Sequence, residues 1–259
     1  MVEAVEYSGA DWDPEYAAIA DSELLPDLAA QAYGADYPRE LRPYGATTWS
    51  LLRQISDRLG VRPGETLLDL GCGEAGCGLW LARTAGARLI GLDFSPAALH
   101  SAERRAAAFP ATPPYRFVAG SLLSTGLAGS SVDAAVSLDV LTYIVDKVAA
   151  FGEVRRVLRP GGRFAFTVHE LLPPAVPGGP DVYDHRPLVT AAGLTVVHYG
   201  EVDGWREPTR RMYRLWIAHA DRLRAELGPD VATTLLAEAT GRGGALAQRR
   251  QMLLVGVRP

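Results

Sequence analysis

Residues 67–79 read Leu67-Leu68-Asp69-Leu70-Gly71-Cys72-Gly73-Glu74-Ala75-Gly76-Cys77-Gly78-Leu79, and no other stretch constrains the fold so tightly. A short apolar run ends in an acid, and a glycine-rich turn then opens into a helix. A strand, tight turn and helix in that order begin a parallel α/β sheet. Gly71, Gly73 and Gly76 stand at positions one, three and six of the dinucleotide-binding pattern. Glycines at such positions let a ligand approach the backbone closely. Asp93 follows the next apolar run, Arg88-Leu89-Ile90-Gly91-Leu92, at the distance expected of a ribose-binding carboxylate. That acid is shared with NAD sites and does not discriminate between ligands.

The acids of the loop do discriminate. A pyrophosphate would rest on the helix N-terminus, held by backbone amides and the helix dipole. Asp69 and Glu74 stand there instead, and two carboxylates repel a phosphate. They suit a ligand that carries positive charge and no phosphate. S-adenosylmethionine, with a sulfonium, an α-ammonium and an adenosine, meets that requirement.

Four stretches resemble the class I S-adenosylmethionine-dependent methyltransferases, in particular their small-molecule, natural-product branch. Leu67–Gly73 resembles that family's first motif, and Gly91-Leu92-Asp93-Phe94-Ser95 its second. Val118-Ala119-Gly120-Ser121, followed by Ser131-Val132-Asp133-Ala134-Ala135-Val136, resembles the adenine loop and fourth strand. Glu153-Val154-Arg155-Arg156-Val157-Leu158-Arg159-Pro160-Gly161-Gly162-Arg163 resembles the helix, turn and fifth strand. Together these stretches cover residues 65–170 in the family's order. The sequence departs from the pattern at Ala75, where the family usually has glycine and Gly76 stands ready to replace it, and at Ser121, often an acid.

The resemblance implies a Rossmann-like, seven-stranded, mostly parallel sheet with helices on both faces. It implies S-adenosylmethionine as cofactor, S-adenosylhomocysteine as product, and a small-molecule acceptor with an oxygen, nitrogen or carbon nucleophile. The cofactor-binding residues carried over are Asp69, Gly71, Cys72, Gly73, Asp93, Phe94, Gly120, Ser121, Leu122, Leu138 and Asp139. Leu138 and Asp139 are expected near the sulfonium. Tyr143 is expected on the acceptor side, with core packing as the competing reading.

An oxygen acceptor needs its proton removed. His169, at the end of the fifth strand, is the candidate base, against the plain alternative of a structural histidine. His185, His198 and His219 are weaker candidates. No metal is expected, because no further ligands cluster with His169 and Glu170. Arg206, Arg210, Arg211 and Arg214 read either as an anion-binding group or as a solvated helix face, the second being favoured. Two other functions compete. An NAD-dependent oxidoreductase is opposed by Glu74 and by the lack of a Tyr-x-x-x-Lys pair. A non-methylating S-adenosylmethionine-binding protein or cyclase shares the fold.

The chain of 259 residues reads as a single domain. Residues 1–60 form an N-terminal helical lid region, 61–203 the cofactor-binding core, 204–249 a helical insertion or cap, and 250–259 the last strand. Helices are expected over 11–33, interrupted at Pro26, and over 49–59. Strands are expected near 66–70, 88–92, 115–118, 133–138 and 163–168, with helices near 96–108 and 147–158. Residues 194–202 and 251–257 read as an antiparallel pair at the sheet edge. A stripe from Met212 to Leu227 and a group from Val231 to Ala239 suggest two helices in the insertion. A net charge of −4 without a basic run argues against nucleic acid. The absence of a long apolar stretch argues against a membrane, and of a leader against secretion. Only Cys72 and Cys77 carry thiols, in the glycine loop, so a cytoplasmic protein is expected. Lys147 is the one lysine amid abundant arginine, alanine and glycine. That bias accompanies GC-rich bacterial genomes and hints at secondary metabolism.

Overall fold

The computed structural model describes residues 8–111 and 113–259, so the first seven residues of the expected lid region lie outside the described residues. Seven strands form one sheet: β1 Thr66–Leu70, β2 Arg88–Asp93, β3 Tyr115–Ala119, β4 Val132–Ser137, β5 Leu158–Leu171, β6 Thr195–Glu201 and β7 Arg249–Val257. Their spatial order is β3-β2-β1-β4-β5-β7-β6. β1 to β5 run parallel to one another, whereas β7 runs antiparallel to both β5 and β6. The chain lays down β1, β2 and β3 in one direction, then restarts at β4 on the other side of β1. That reversal places a topological switch point between β1 and β4, where open α/β sheets hold their ligands.

Alternation along β1 sets the layers. Leu68 and Leu70 face one side and pack with Phe151 and Val154 of α6 (Lys147–Val157) and with Val189 of α7 (Arg186–Ala191). Leu67 faces the other side. It packs with α3 (Trp49–Leu59), α4 (Gly76–Ala85) and α5 (Pro96–Ala108) through Leu52, Ile55, Leu79 and Ala102. Asp69 shares the Leu67 face and so points toward α4. Ordinary stop and start signals frame these helices. Thr48 caps α3 by accepting the Leu51 N–H at 3.2 Å, and Gly60 ends it in a left-handed conformation. Ser95 caps α5, with Pro96 at its first position.

A third apolar cluster lies outside the sheet layers. It joins α1 (Gly9–Ile19) and α2 (Leu24–Tyr33) to α8 (Arg206–Ala218), α9 (Ala220–Leu227) and α10 (Pro229–Ala245) through Leu28, Tyr33, Trp216, Leu223 and Leu235. The segments before and after the core thus bury their stripes against each other.

Three details differ from the sequence reading. The 11–33 helix breaks at residues 20–23 rather than at Pro26, which sits in the first turn of α2, where a missing N–H breaks no helix bond. The insertion holds three helices, because the stripe from Met212 to Leu227 is divided at His219 and Pro229 opens a new helix after the Gly228 turn. β5 runs to Leu171, well past residue 168, because β7 pairs with it as far as Leu171↔Arg249.

Candidate active site

A cavity of about 580 Å³ opens over the carboxyl ends of the strands at the β1/β4 switch point. Asp69, Gly71, Cys72, Gly73, Asp93, Phe94, Gly120, Ser121, Leu122, Leu138, Asp139, Tyr143 and His169 all line it. These residues come from the carboxyl ends of β1 to β5 and the turns that follow them, spread over a hundred positions, and the parallel strands bring them to one place.

The turn after β1 forms one wall. Gly71 has φ +71°, and a Cβ there would lie 2.4 Å from Val140 Cγ2. Gly73 lies under the ring of Tyr16 from α1. Gly76 does not take over the turn from Ala75, as the sequence suggested. Ala75 itself adopts the left-handed conformation, φ 59°, and Gly76 is required because the Leu41 carbonyl passes where a Cβ would stand.

Asp93 anchors the next loop. Its Oδ2 accepts the Gly73 N–H at 2.8 Å and its Oδ1 the Ser95 N–H at 3.0 Å, so one carboxylate joins the two turns. Burial raises the Asp93 pKa, and the backbone donors of Ser95, Gly73 and Phe94 oppose that rise. Asp69 is buried against α4 near Asp93; burial first, and the Asp93 charge second, push it up to about 7. Glu74 departs from the role read in the sequence. It pairs with Arg105 at 2.7 Å and Arg42 at 3.7 Å, so its charge is largely neutralised. Asp69 and Asp93, rather than Asp69 and Glu74, make this wall acidic. Ser121 accepts the Leu123 N–H at 3.1 Å, which leaves its proton and one lone pair for a ligand. Burial raises the pKa of both Cys72 and Cys77, as expected of small turn residues and not of nucleophiles.

The other end of the cavity is built around Asp139. Its φ of +61° is unusual for a residue other than glycine, and its carboxylate is held from several sides. Oδ1 accepts the Thr167 hydroxyl at 2.8 Å and the Gln251 amide at 3.2 Å, and Oδ2 accepts the Ala46 N–H at 3.2 Å. His169 Nε2 stands 3.5 Å from Oδ1. Burial opposes ionisation of Asp139, but His169, Thr167 and Gln251 outweigh it and hold the pKa below the ordinary value. The carboxylate is therefore turned onto His169 and its supporters. The His169 ring also meets Trp205 edge-on at 5.7 Å. Tyr143 both lines the cavity and packs against Trp12, with ring centroids 4.9 Å apart.

The remaining polar candidates lie elsewhere. Glu170 is buried and bonded to Arg250, His185 and Tyr199, so it ties the 172–186 loop to the sheet. Arg210 and Arg214 pair with Glu207, and Arg206 with Glu201, which fits the solvated-face reading. No group of three potential metal ligands occurs among the described residues, and no helix among them is long and apolar enough to cross a membrane.

Several wall residues were not singled out from the sequence: Trp12, Tyr16, Tyr44, Trp216, Glu238 and Arg242. Trp12 and Tyr16 are one helical turn apart, a spacing the sequence did display. The cap read over 204–249 includes Glu238 and Arg242, but nothing in the sequence marked these two as site residues.

Comparison with known proteins agrees with this geometry. Residues 68–166 match the model of the methyltransferase domain family. Methyltransferase GfsG from Streptomyces halstedii is 27 % identical over 72 % of this chain and 72 % of its own length. The chain spans only 31 % and 48 % of the length of two other curated relatives that it matches. Among solved structures, the [4+2]-cyclase SpnF superposes with a TM-score of 0.76 at 20 % identity, covering 97 % of this chain and 94 % of that one. The cyclopropane synthase MmaA2 from Mycobacterium tuberculosis gives 0.76 at 14 % identity, over 98 % and 99 %. At such identities these two likenesses establish the fold and nothing of the reaction.

Proposed function

We propose that this chain, a class I S-adenosylmethionine-dependent methyltransferase by fold and by domain family, transfers a methyl group from S-adenosylmethionine to a small-molecule acceptor. The observation that carries the proposal is a single cavity with two chemically distinct ends. One end is an acidic, glycine-floored crevice, and the other holds a His–Asp pair.

The residues present fit the cofactor. The Asp93 carboxylate, oriented by the backbone N–H groups of Gly73, Ser95 and Phe94, would hold the ribose hydroxyls. Asp69 would face the cationic α-ammonium group. Gly71, Cys72 and Gly73 line the crevice in which the cofactor would lie, and Ser121 and Leu122 would border the adenine. When bound, S-adenosylmethionine supplies an activated methyl group, so positioning and water exclusion account for much of the rate.

The acceptor's proton falls to His169. With its Nε2–H directed at Asp139, its Nδ1 carries the lone pair that takes the proton. Asp139 then stabilises the imidazolium. Thr167 and Gln251 fix Asp139, so the pair does not need to reorganise during turnover.

Calorimetry tests the cofactor. S-adenosylmethionine and S-adenosylhomocysteine are expected to bind at micromolar levels, and NADH not at all. Comparable NADH binding would restore the oxidoreductase reading. The pH dependence adds a second test. A cationic ligand selects the ionised form of Asp69, whose free pKa is raised to about 7. Below that pH binding must expel a proton, so affinity climbs as pH rises to about 7 and levels off above. A profile that falls with rising pH would remove Asp69 from the site. Cofactor that binds but whose labelled methyl group never reaches any acceptor would favour a cyclase.

α1 closes the crevice. Asp13 accepts the Ser95 hydroxyl at 2.5 Å and the Ala97 N–H at 3.1 Å, at the capped start of α5. Gly9 packs directly on the Phe94 carbonyl. Asp13→Ala removes both hydrogen bonds to a charged group, so S-adenosylhomocysteine should dissociate roughly tenfold faster by stopped-flow fluorescence. An unchanged rate would mean that release takes another path.

A further inference from the structure

The wall behind Tyr143 contains an ion pair that no step above uses. Arg242 and Glu238, one turn apart on α10, both line the cavity, with Nη1 and Oε1 3.6 Å apart. Two other cavity arginines are held by neighbouring groups, although Arg249 Nε has no hydrogen-bond partner among the described residues. Arg42 donates to the carbonyls of Ile19, Ala20 and Ser22, and Arg249 holds Asp181 with two bonds of 2.9 Å. Arg242 forms no hydrogen bond among the described residues; its guanidinium lies 5.7 Å from the Tyr143 ring centre. Glu238 accepts the Tyr213 hydroxyl at 3.0 Å through Oε1, and its Oε2 forms no hydrogen bond among the described residues. The indole N–H of Trp216, which lines the same cavity, is buried and has no hydrogen-bond partner among the described residues. Tyr44, Tyr143, Met212, Tyr213 and Leu246 also line the cavity, with Thr209, and Glu15 stands behind Tyr44, whose hydroxyl donates to it.

We infer that Arg242 and Glu238 form the subsite that recognises the acceptor, and that the acceptor is a neutral, largely apolar molecule bearing neighbouring carbonyl and hydroxyl oxygens. The inference rests on reading the His169 end of the cavity as the place of methyl transfer. A carbonyl accepts from Arg242 or Trp216, and a hydroxyl donates to Glu238. A carboxylate set on Arg242 would lie against Glu238, and an ammonium set on Glu238 would lie against Arg242. A charged acceptor is therefore penalised whichever its sign, whereas a neutral hydroxy-ketone satisfies both partners. Arg242 and Glu238 are half-buried, and an analogue lacking its oxygen leaves a wall group without a partner, which makes such a site selective.

The test uses the full chain saturated with S-adenosylhomocysteine and follows quenching of tryptophan fluorescence by four probes of similar size. Benzoin carries the hydroxy-ketone, deoxybenzoin lacks the hydroxyl, diphenylacetate is an anion and 1,2-diphenylethylamine a cation. Benzoin should bind at least about tenfold tighter than the other three, and Arg242→Met and Glu238→Gln should each remove about tenfold of that affinity. S-adenosylhomocysteine affinity, unchanged in both variants, reports an intact fold. Tightest binding by diphenylacetate or by the amine, or benzoin affinity equal in wild type and both variants, overturns the inference. Failure of the cofactor reading is separately visible, since S-adenosylhomocysteine would then not bind wild type, while the ranking of probes would still report on the wall.

Discussion

His169→Ala lowers turnover on a hydroxyl acceptor by about 10²–10⁴-fold, the usual worth of a well-placed base, and leaves cofactor affinity nearly unchanged. The split between the two readouts follows from the geometry. His169 lies at the end of β5 against Asp139 and Trp205, whereas the crevice floor is made by β1 and β2. Asp139→Asn should reproduce part of the loss, since it keeps the shape but removes the charge that stabilises imidazolium. If the acceptor is an amine or an activated carbon, the loss at His169 is small. A variant that loses cofactor binding and turnover together would make His169 a structural residue and send the search for a base to Tyr143.

Asp93→Ala weakens cofactor binding by at least tenfold and toward about a hundredfold, measured by calorimetry. Each charge-assisted hydrogen bond to a ribose hydroxyl is worth roughly 1.5–3 kcal/mol. The substitution also frees the N–H groups of Gly73 and Ser95, so the two turns that it joins lose their common anchor. Asp93→Asn separates these effects, because an amide oxygen can keep one turn tethered while the charge is lost. Circular dichroism should show the sheet intact in both variants. An unchanged dissociation constant would mean that the end of β2 does not hold the ribose.

Much of this molecule was readable in its residues. The runs at 66–70, 88–93 and 132–137 became strands because apolar stretches bounded by turn residues have few other ways to be buried. The glycine turn and Asp93 could be placed because their spacing reflects the length of one strand–helix–strand unit. Partnerships across the sheet were not legible. Nothing local says that Asp139 meets Thr167, His169 and Gln251, because strand pairing brings β4, β5 and β7 together over more than a hundred residues. Glu74 was misread for the same reason. Its neutralising arginines, Arg42 and Arg105, come from opposite directions along the chain. The break at His219 was hidden because the apolar stripe continues across it, and periodicity reports which residues face inward, not whether the axis turns.

α1 belongs to both ends of the cavity at once. Tyr16 lies over Gly73 and Asp13 fastens the helix to α5, while Trp12 packs on Tyr143 at the acceptor end. A rigid helix cannot uncover one end and keep the other sealed. On the proposed function, cofactor and acceptor would therefore have linked residence times, because each would be released only by a movement of α1 that also uncovers the other.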